Sequence, residues 1–232
     1  MKRINWSGFE WITQERWGDH HPGGSKVWYD PSQVVLEGDV LKLGVQKNPK
    51  QFESGIIPFG VGLVSCTEQF SYGTFELDAK LPHRQPFAWP AFWAWSWKSW
   101  PPEIDIIEAY SNSRGSWFNW SGEMIFGKIW RCESNIHLGT SPKNYSLGAK
   151  KHRFSLKDPS KSWINYKMVC TPHLIQIFYD GKLVREVSDE ESMSQIRDHK
   201  MNVVINNSLQ NDISDLDRQY FFEVKNFRYL PL

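Results

Sequence analysis

The 232-residue chain has little that would staple it, anchor it in a bilayer or draw it to a charged partner. Its three cysteines, Cys66, Cys132 and Cys170, are odd in number and lack metal-ligand spacing. Cys170 falls in an alternating run and reads as a small buried apolar side chain. Lys and Arg number 27 against 26 Asp and Glu, a formal net charge of +1, which argues against a nucleic-acid partner. The opening MKRINWSGFEW has no apolar core of a signal peptide. The longest apolar stretch, FAWPAFWAWSW over 87–97, is too short and too proline-interrupted to span a membrane. No repeat, heptad or linker divides the sequence, so a single domain over 1–232 is expected, as a monomer. A chain of this size buries roughly 70–75% of its unfolded surface and needs neither metal nor disulfide to fold.

Helix signals are scarce too; only SDEESMSQIRD over 188–198 invites a short one. Strand signals fill the rest. Leu41, Leu43 and Val45 alternate with polar neighbours, as do Phe75, Leu77, Ala79 and Leu81 with Glu76, Asp78 and Lys80. Asp180-Gly181 between two β-rich runs predicts a tight hairpin. Strands are also expected in MNVVINNS and in the closing FFEVKNFRYLPL. This pattern predicts an all-β sandwich or jelly roll.

What is abundant is aromatic: 13 Trp, 14 Phe and 8 Tyr. Indole is expensive to place because its N–H needs a partner, so the excess suggests a surface for stacking on flat ligands, with a large aromatic core as the plainer alternative. Phe87, Trp89, Trp93, Trp95 and Trp97 share a parity that lines one face of a strand, although Trp93, Trp97 and Trp100 also fit helical spacing.

Directly after the Trp-rich stretch comes Glu103-Ile104-Asp105-Ile106-Ile107-Glu108. Three isoleucines mark a buried strand, yet three carboxyls ride on it, and buried charge without partners is costly. Regular alternation puts Glu103 and Asp105 on one face and Glu108 on the other. One extra residue, a β-bulge near Ile106 or Ile107, returns Glu108 to its companions. Three acids on one face raise at least one pKa, which is what a nucleophile paired with a protonated acid requires. A solvated edge strand or a Ca²⁺ site are the alternative readings. A metal-dependent hydrolase is the weakest, since no His/Cys cluster accompanies the acids.

The acid run resembles the E-x-D-x-x-E signature of glycoside hydrolase family 16. Ser54-Gly55-Ile56-Ile57, Phe70-Ser71-Tyr72-Gly73-Thr74-Phe75-Glu76, Ala79-Lys80-Leu81-Pro82, Trp89-Pro90-Ala91-Phe92-Trp93 and Ile177-Phe178-Tyr179-Asp180-Gly181-Lys182 are similar, in order, to other stretches of that family. The resemblance implies a concanavalin-like β-jelly-roll sandwich of two antiparallel sheets with a concave substrate cleft. It implies an endo-acting retaining β-glycanase that needs no cofactor for catalysis. A structural Ca²⁺ is compatible with such folds, but no ligand loop identifies one. Glu103 would be the nucleophile, Glu108 the acid/base, and Asp105 the residue that tunes them. Trp89 and Trp93 would stack on sugars, with Trp97, Trp100, Trp117 and His137 as further substrate-binding candidates and Trp120 and Trp130 as outer ones. The polysaccharide partner favoured is β-1,3- or mixed-linked glucan. A β-galactan of the agarase, porphyranase or carrageenase kind is the alternative, for which Arg84, Arg114 and Arg131 are candidate sulfate contacts. A transglycosylase shares the intermediate, and a lectin-like binding module remains the non-enzymatic alternative. An extracellular or periplasmic location is expected from such a substrate.

Overall fold

The computed structural model describes residues 1–21, 24–117, 131–139, 145–147, 150–153 and 157–232, arranged as two nine-stranded sheets. With strands numbered along the chain, the first sheet runs β1 (Arg3–Trp6), β2 (Phe9–Ile12), β7 (Leu63–Phe70), β17 (Met201–Leu209), β9 (Ala88–Ser96), β10 (Glu103–Glu108), β11 (Arg131–Leu138) and β12 (Tyr145–Ser146). Strand β13 (Lys150–Arg153) also pairs with β11. The second runs β16 (Lys182–Val187), β15 (Leu174–Tyr179), β14 (Ile164–Thr171), β8 (Gly73–Lys80), β18 (Tyr220–Pro231), β5 (Val40–Phe52), β6 (Gly55–Val61) and β3 (Val27–Tyr29), with β4 (Val34–Glu37) on β5. The all-β jelly-roll expectation holds, with one departure from purely antiparallel sheets. Short β3 lies parallel to β6, because the chain detours through β4 and β5 before β6 returns beside it.

Alternation builds the sandwich. Strands β8 and β14 bury every second residue, and Cys170 is one of the buried positions. Asp180 and Gly181 both take positive φ, 51° and 79°, in the two-residue turn that pairs Tyr179 with Lys182. The one α-helix among the described residues is α1 (Glu190–Ser194), shorter than the 188–198 expectation, with Asp189 accepting from the Ser192 N–H at 2.9 Å as its N-cap.

The main core lies between the sheets, where Phe92, Ala94, Ile104 and Ile136 of the first meet Phe75, Leu77, Tyr166 and Ile177 of the second. Burying each large side chain there contributes about 1.5–3 kcal/mol. A smaller apolar cluster sits on the other face of the first sheet. There Val45, Phe59 and Val61 from β5 and β6 fold over Trp95 and Val204, closing one end of that face.

Candidate active site

The acids come together because Ile106 and Ile107 are both apolar. Strict alternation would turn Ile107 outward and drive the Glu108 carboxyl into the core. Instead the register slips by one residue between Asp105 and Ile107, so that Glu103, Asp105 and Glu108 sit opposite Trp95, Trp93 and Ala91 of β9. Ile104, Ile106 and Ile107 are all fully buried in the main core. The bulge frees a carbonyl from the ladder, and Tyr179, reaching across from the second sheet, donates its hydroxyl to Ile106 O at 2.7 Å. Arg185, 2% exposed, likewise crosses the sandwich and donates to Ser134 O at 2.7 Å.

On the outward face the acids have aromatic neighbours. Trp89 Nε1 donates to Glu108 Oε1 at 3.0 Å, and Tyr110 Oη donates to the same oxygen at 2.9 Å. Both donors fall on that one oxygen of Glu108, whose carboxyl also shares a hydrogen bond with Asp105. Trp100 Nε1 donates to Glu103 Oε2 at 2.9 Å, with its ring 46% exposed. Trp93 Nε1 donates to Asn206 Oδ1 of β17 at 2.8 Å. His137, directly across from Glu103 on β11, places Nε2 3.3 Å from Asp105 Oδ2 and 3.8 Å from Glu103 Oε1.

These surroundings set the protonation. Burial, with Asp105 and Glu108 adding repulsion, pushes Glu103 up to about 8, opposed by His137 and the Trp100 N–H. Burial and then Glu108 hold Asp105 well above the usual carboxylate range, against the pull of the Arg185 guanidinium. Glu103 and Asp105 therefore both hold their protons more tightly than ordinary carboxyls and titrate as interacting groups. Glu103, Asp105 and His137 also place ligand-type atoms within 4.8 Å of one another, the one such group among the described residues that a cation could join.

Of the residues the sequence singled out, Glu103, Asp105, Glu108, Trp89, Trp93, Trp100 and His137 meet on this face. Trp97 lies just past the strand, half-buried against the smaller cluster, with the Arg16 guanidinium 5.1 Å over its ring. Trp117 is a correction: it is 3% exposed and packed in the main core, so its ring has no free face to offer a sugar. Arg84 and Arg114 are exposed where two loops meet, and a Cβ on Gly115 would fall 2.1 Å from Arg84 O. Trp120, Trp130 and the side chain of Arg131 lie outside the described residues. Tyr110 and Asn206 were missed. Tyr110 had a signal, since it follows Glu108 by two residues and shares its face. Asn206 had none, because it arrives from a strand 113 residues along the chain from Trp93.

Comparison with known proteins fits this arrangement. A Rhizobium meliloti (strain 1021) protein described as endo-1,3-1,4-beta-glycanase ExsH is 27% identical over 117 residues, 44% of this chain. The match spans only 25% of that longer protein. A Bacteroides ovatus family 16 enzyme of a mixed-linkage glucan locus, solved with an oligosaccharide product, superposes with a TM-score of 0.70 at 19% identity, covering 95% of this chain and 94% of its own. A β-1,3-1,4-glucanase (lichenase) from a mouse hindgut metagenome gives 0.69 at 16% identity, covering 96% and 93%. At these identities the superpositions establish the fold. The family follows from the sequence model of "Glycosyl hydrolases family 16", which matches residues 24–217: the chain belongs to that family of glycoside hydrolases.

Proposed function

We propose that this chain is an endo-acting retaining β-glycanase that cleaves β-1,3- or mixed-linked glucan by double displacement. The observation that carries the reading is the bulge, which gathers Glu103, Asp105 and Glu108 on the outward face beside Trp89, Trp93 and Trp100. Retaining glycosidases use two carboxyls about 5–5.5 Å apart, one as nucleophile and one as acid then base. Glu103 attacks the anomeric carbon, and His137 with the Trp100 N–H favours the ionised carboxylate that attack requires. Glu108 hands its proton to the leaving glycosidic oxygen from the carboxyl oxygen that Trp89 and Tyr110 do not engage. The same group then takes a proton from water as the water displaces Glu103 from the glycosyl-enzyme. Asp105, the most buried of the three, keeps its proton and limits the negative charge on the face.

A β-galactan is the runner-up, favoured by Arg16 beside Trp97 and by Arg84 and Arg114 beyond Tyr110, cations suited to sulfate. Reducing-end release on laminarin, mixed-linkage glucan, agarose, porphyran and carrageenans, with Glu103→Gln as control, tests both. Release from the first two polymers, lost in the variant, supports the proposal. Release only from galactans moves the substrate to the runner-up. Binding without release by the wild type would contradict an enzymatic role.

A further inference from the structure

One buried acid takes no part in this chemistry. Glu15 is fully buried, and neither of its oxygens makes a well-formed hydrogen bond within the protein. It opens a four-residue turn closed by Glu15 N–H to Gly18 O at 3.2 Å and Gly18 N–H to Glu15 O at 3.0 Å. The same turn carries Trp17, whose ring lies 5.1 Å from that of Trp95 and whose indole donates to Tyr29 Oη at 3.3 Å. Trp95 is the β9 residue directly opposite Glu103, and its ring lies 6.4 Å from that of Trp93. The turn therefore buttresses the aromatic wall of the cleft.

The polar neighbours of the Glu15 carboxyl are Ser65, the Arg16 backbone N–H and the Trp95 indole. Hydrogen-bond direction then fixes which form of the acid fits. Asn202 Nδ2 donates to Cys66 O and Glu68 O, so its Oδ1 faces Ser65 as an acceptor. Ser65 Oγ gives its only proton to that oxygen, at 2.8 Å. Ser65 can thus offer Glu15 only lone pairs, and the Trp95 indole can offer only a proton. A carboxylic acid matches all three, one oxygen accepting from the Arg16 and Trp95 N–H groups and the protonated one donating to Ser65. A carboxylate matches the two donors but turns a charged oxygen on the Ser65 lone pairs. The titratable groups facing Glu15 are Glu103 from β10 and Tyr29 from β3, both acids; the Arg16 guanidinium turns out over Trp97.

We infer that Glu15 is a positioning residue which works in its protonated form, tying the Trp17–Trp95 wall to β7 so that glycan binding depends on its proton. This rests on the reading of the outward face as the glycan cleft. Burial, then the charge of Glu103, pushes Glu15 up to about 8, so its proton is lost in mildly alkaline solution. Glu103 titrates in the same window but acts on kcat, which separates the two.

The test compares wild type, Glu15→Gln and Ser65→Ala from pH 6 to 9.5 by near-ultraviolet circular dichroism and by KM and kcat on the polymer the enzyme cleaves. Gln donates and accepts as the protonated acid does. Wild type should lose tryptophan dichroism near pH 8, with KM rising several-fold. Glu15→Gln should keep the pH 7 spectrum and hold both dichroism and KM flat across the range. Ser65→Ala, which removes the acceptor of the Glu15 proton, should move the wild-type transition to lower pH. A transition that persists in Glu15→Gln, or one that Ser65→Ala moves to higher pH, overturns the inference. If no polymer is cleaved the cleft reading fails by itself, while the dichroism still decides whether Glu15 works as a proton donor.

Discussion

The outward faces of the two sheets treat charge in opposite ways. On the second sheet, acids alternate with cations and amides that answer them. Lys80 meets Glu223 at 2.8 Å, Arg228 meets Glu76 at 3.5 Å, and Asp78 accepts from Asn165 and Asn226 at 2.9 and 2.8 Å. On the first sheet, Glu103, Asp105 and Glu108 crowd together, and among the described residues the group able to carry positive charge that meets them on that face is His137. Both faces were built by the same alternation, so the difference is not a by-product of strand formation. Pairing satisfies ordinary solubility, whereas like-sign crowding raises pKa values and opposes stability. Such crowding is retained where proton chemistry needs it.

Neutralising the crowded acids should break the comparison most severely. Glu103→Gln and Glu108→Gln each should lower kcat by at least ~10²–10⁴-fold, the range for losing a positioned acid, base or nucleophile, while thermal unfolding stays at or above the wild-type midpoint. Loss of activity together with loss of stability would mean that the acids are structural.

The next largest effect is in stability against pH. Glu15 has a folded pKa raised above its unfolded value of 4.5, to about 8. The folded state therefore holds that proton more tightly, and the stability this contributes is complete below about pH 4.5 and lost as pH rises through about 8. Urea unfolding of Glu15→Gln should match wild type at pH 5 and exceed it at pH 9 by roughly 1–4 kcal/mol, the order of a shift of a few pKa units. Equal stability at pH 9 would argue that the side chain ionises without penalty.

Tyr179→Phe tests the bulge itself. It leaves the buried Ile106 carbonyl without its hydroxyl donor and should cost about 1–3 kcal/mol in urea unfolding, with a further loss in kcat because Glu108 is no longer held to its face. On the second sheet, by contrast, Glu223→Ala should cost about 1 kcal/mol or less and leave kcat and KM unchanged, because a solvent-screened, half-buried surface pair contributes little. A kinetic effect there would break the contrast between the faces.

Much of this was legible in the sequence where signals are local. Alternation gave the strands, Asp180-Gly181 gave a hairpin, and the conflict between Ile107 and Glu108 announced the bulge. Trp89, Trp93 and Trp100 were legible as a group, but not their use as donors to Glu108, Asn206 and Glu103, since those partners are set by register and loop path. Trp117 misled because a tryptophan in a polar stretch looks the same whether it faces solvent or folds back into the core. Glu15 was invisible for the same reason in reverse: QERW reads as a polar turn, and only long-range packing against Ser65 and Trp95 buries its carboxyl.

The central claim is that the bulged face performs double displacement with Glu103 as nucleophile. The most direct measurement follows the anomeric proton signals by nuclear magnetic resonance during the first minutes of hydrolysis of the β-linked polymer that the enzyme cleaves. The account predicts that the new reducing ends appear first as the β-anomer, with α growing in later by mutarotation. Ends that appear first as the α-anomer would mean single displacement by water and would contradict it.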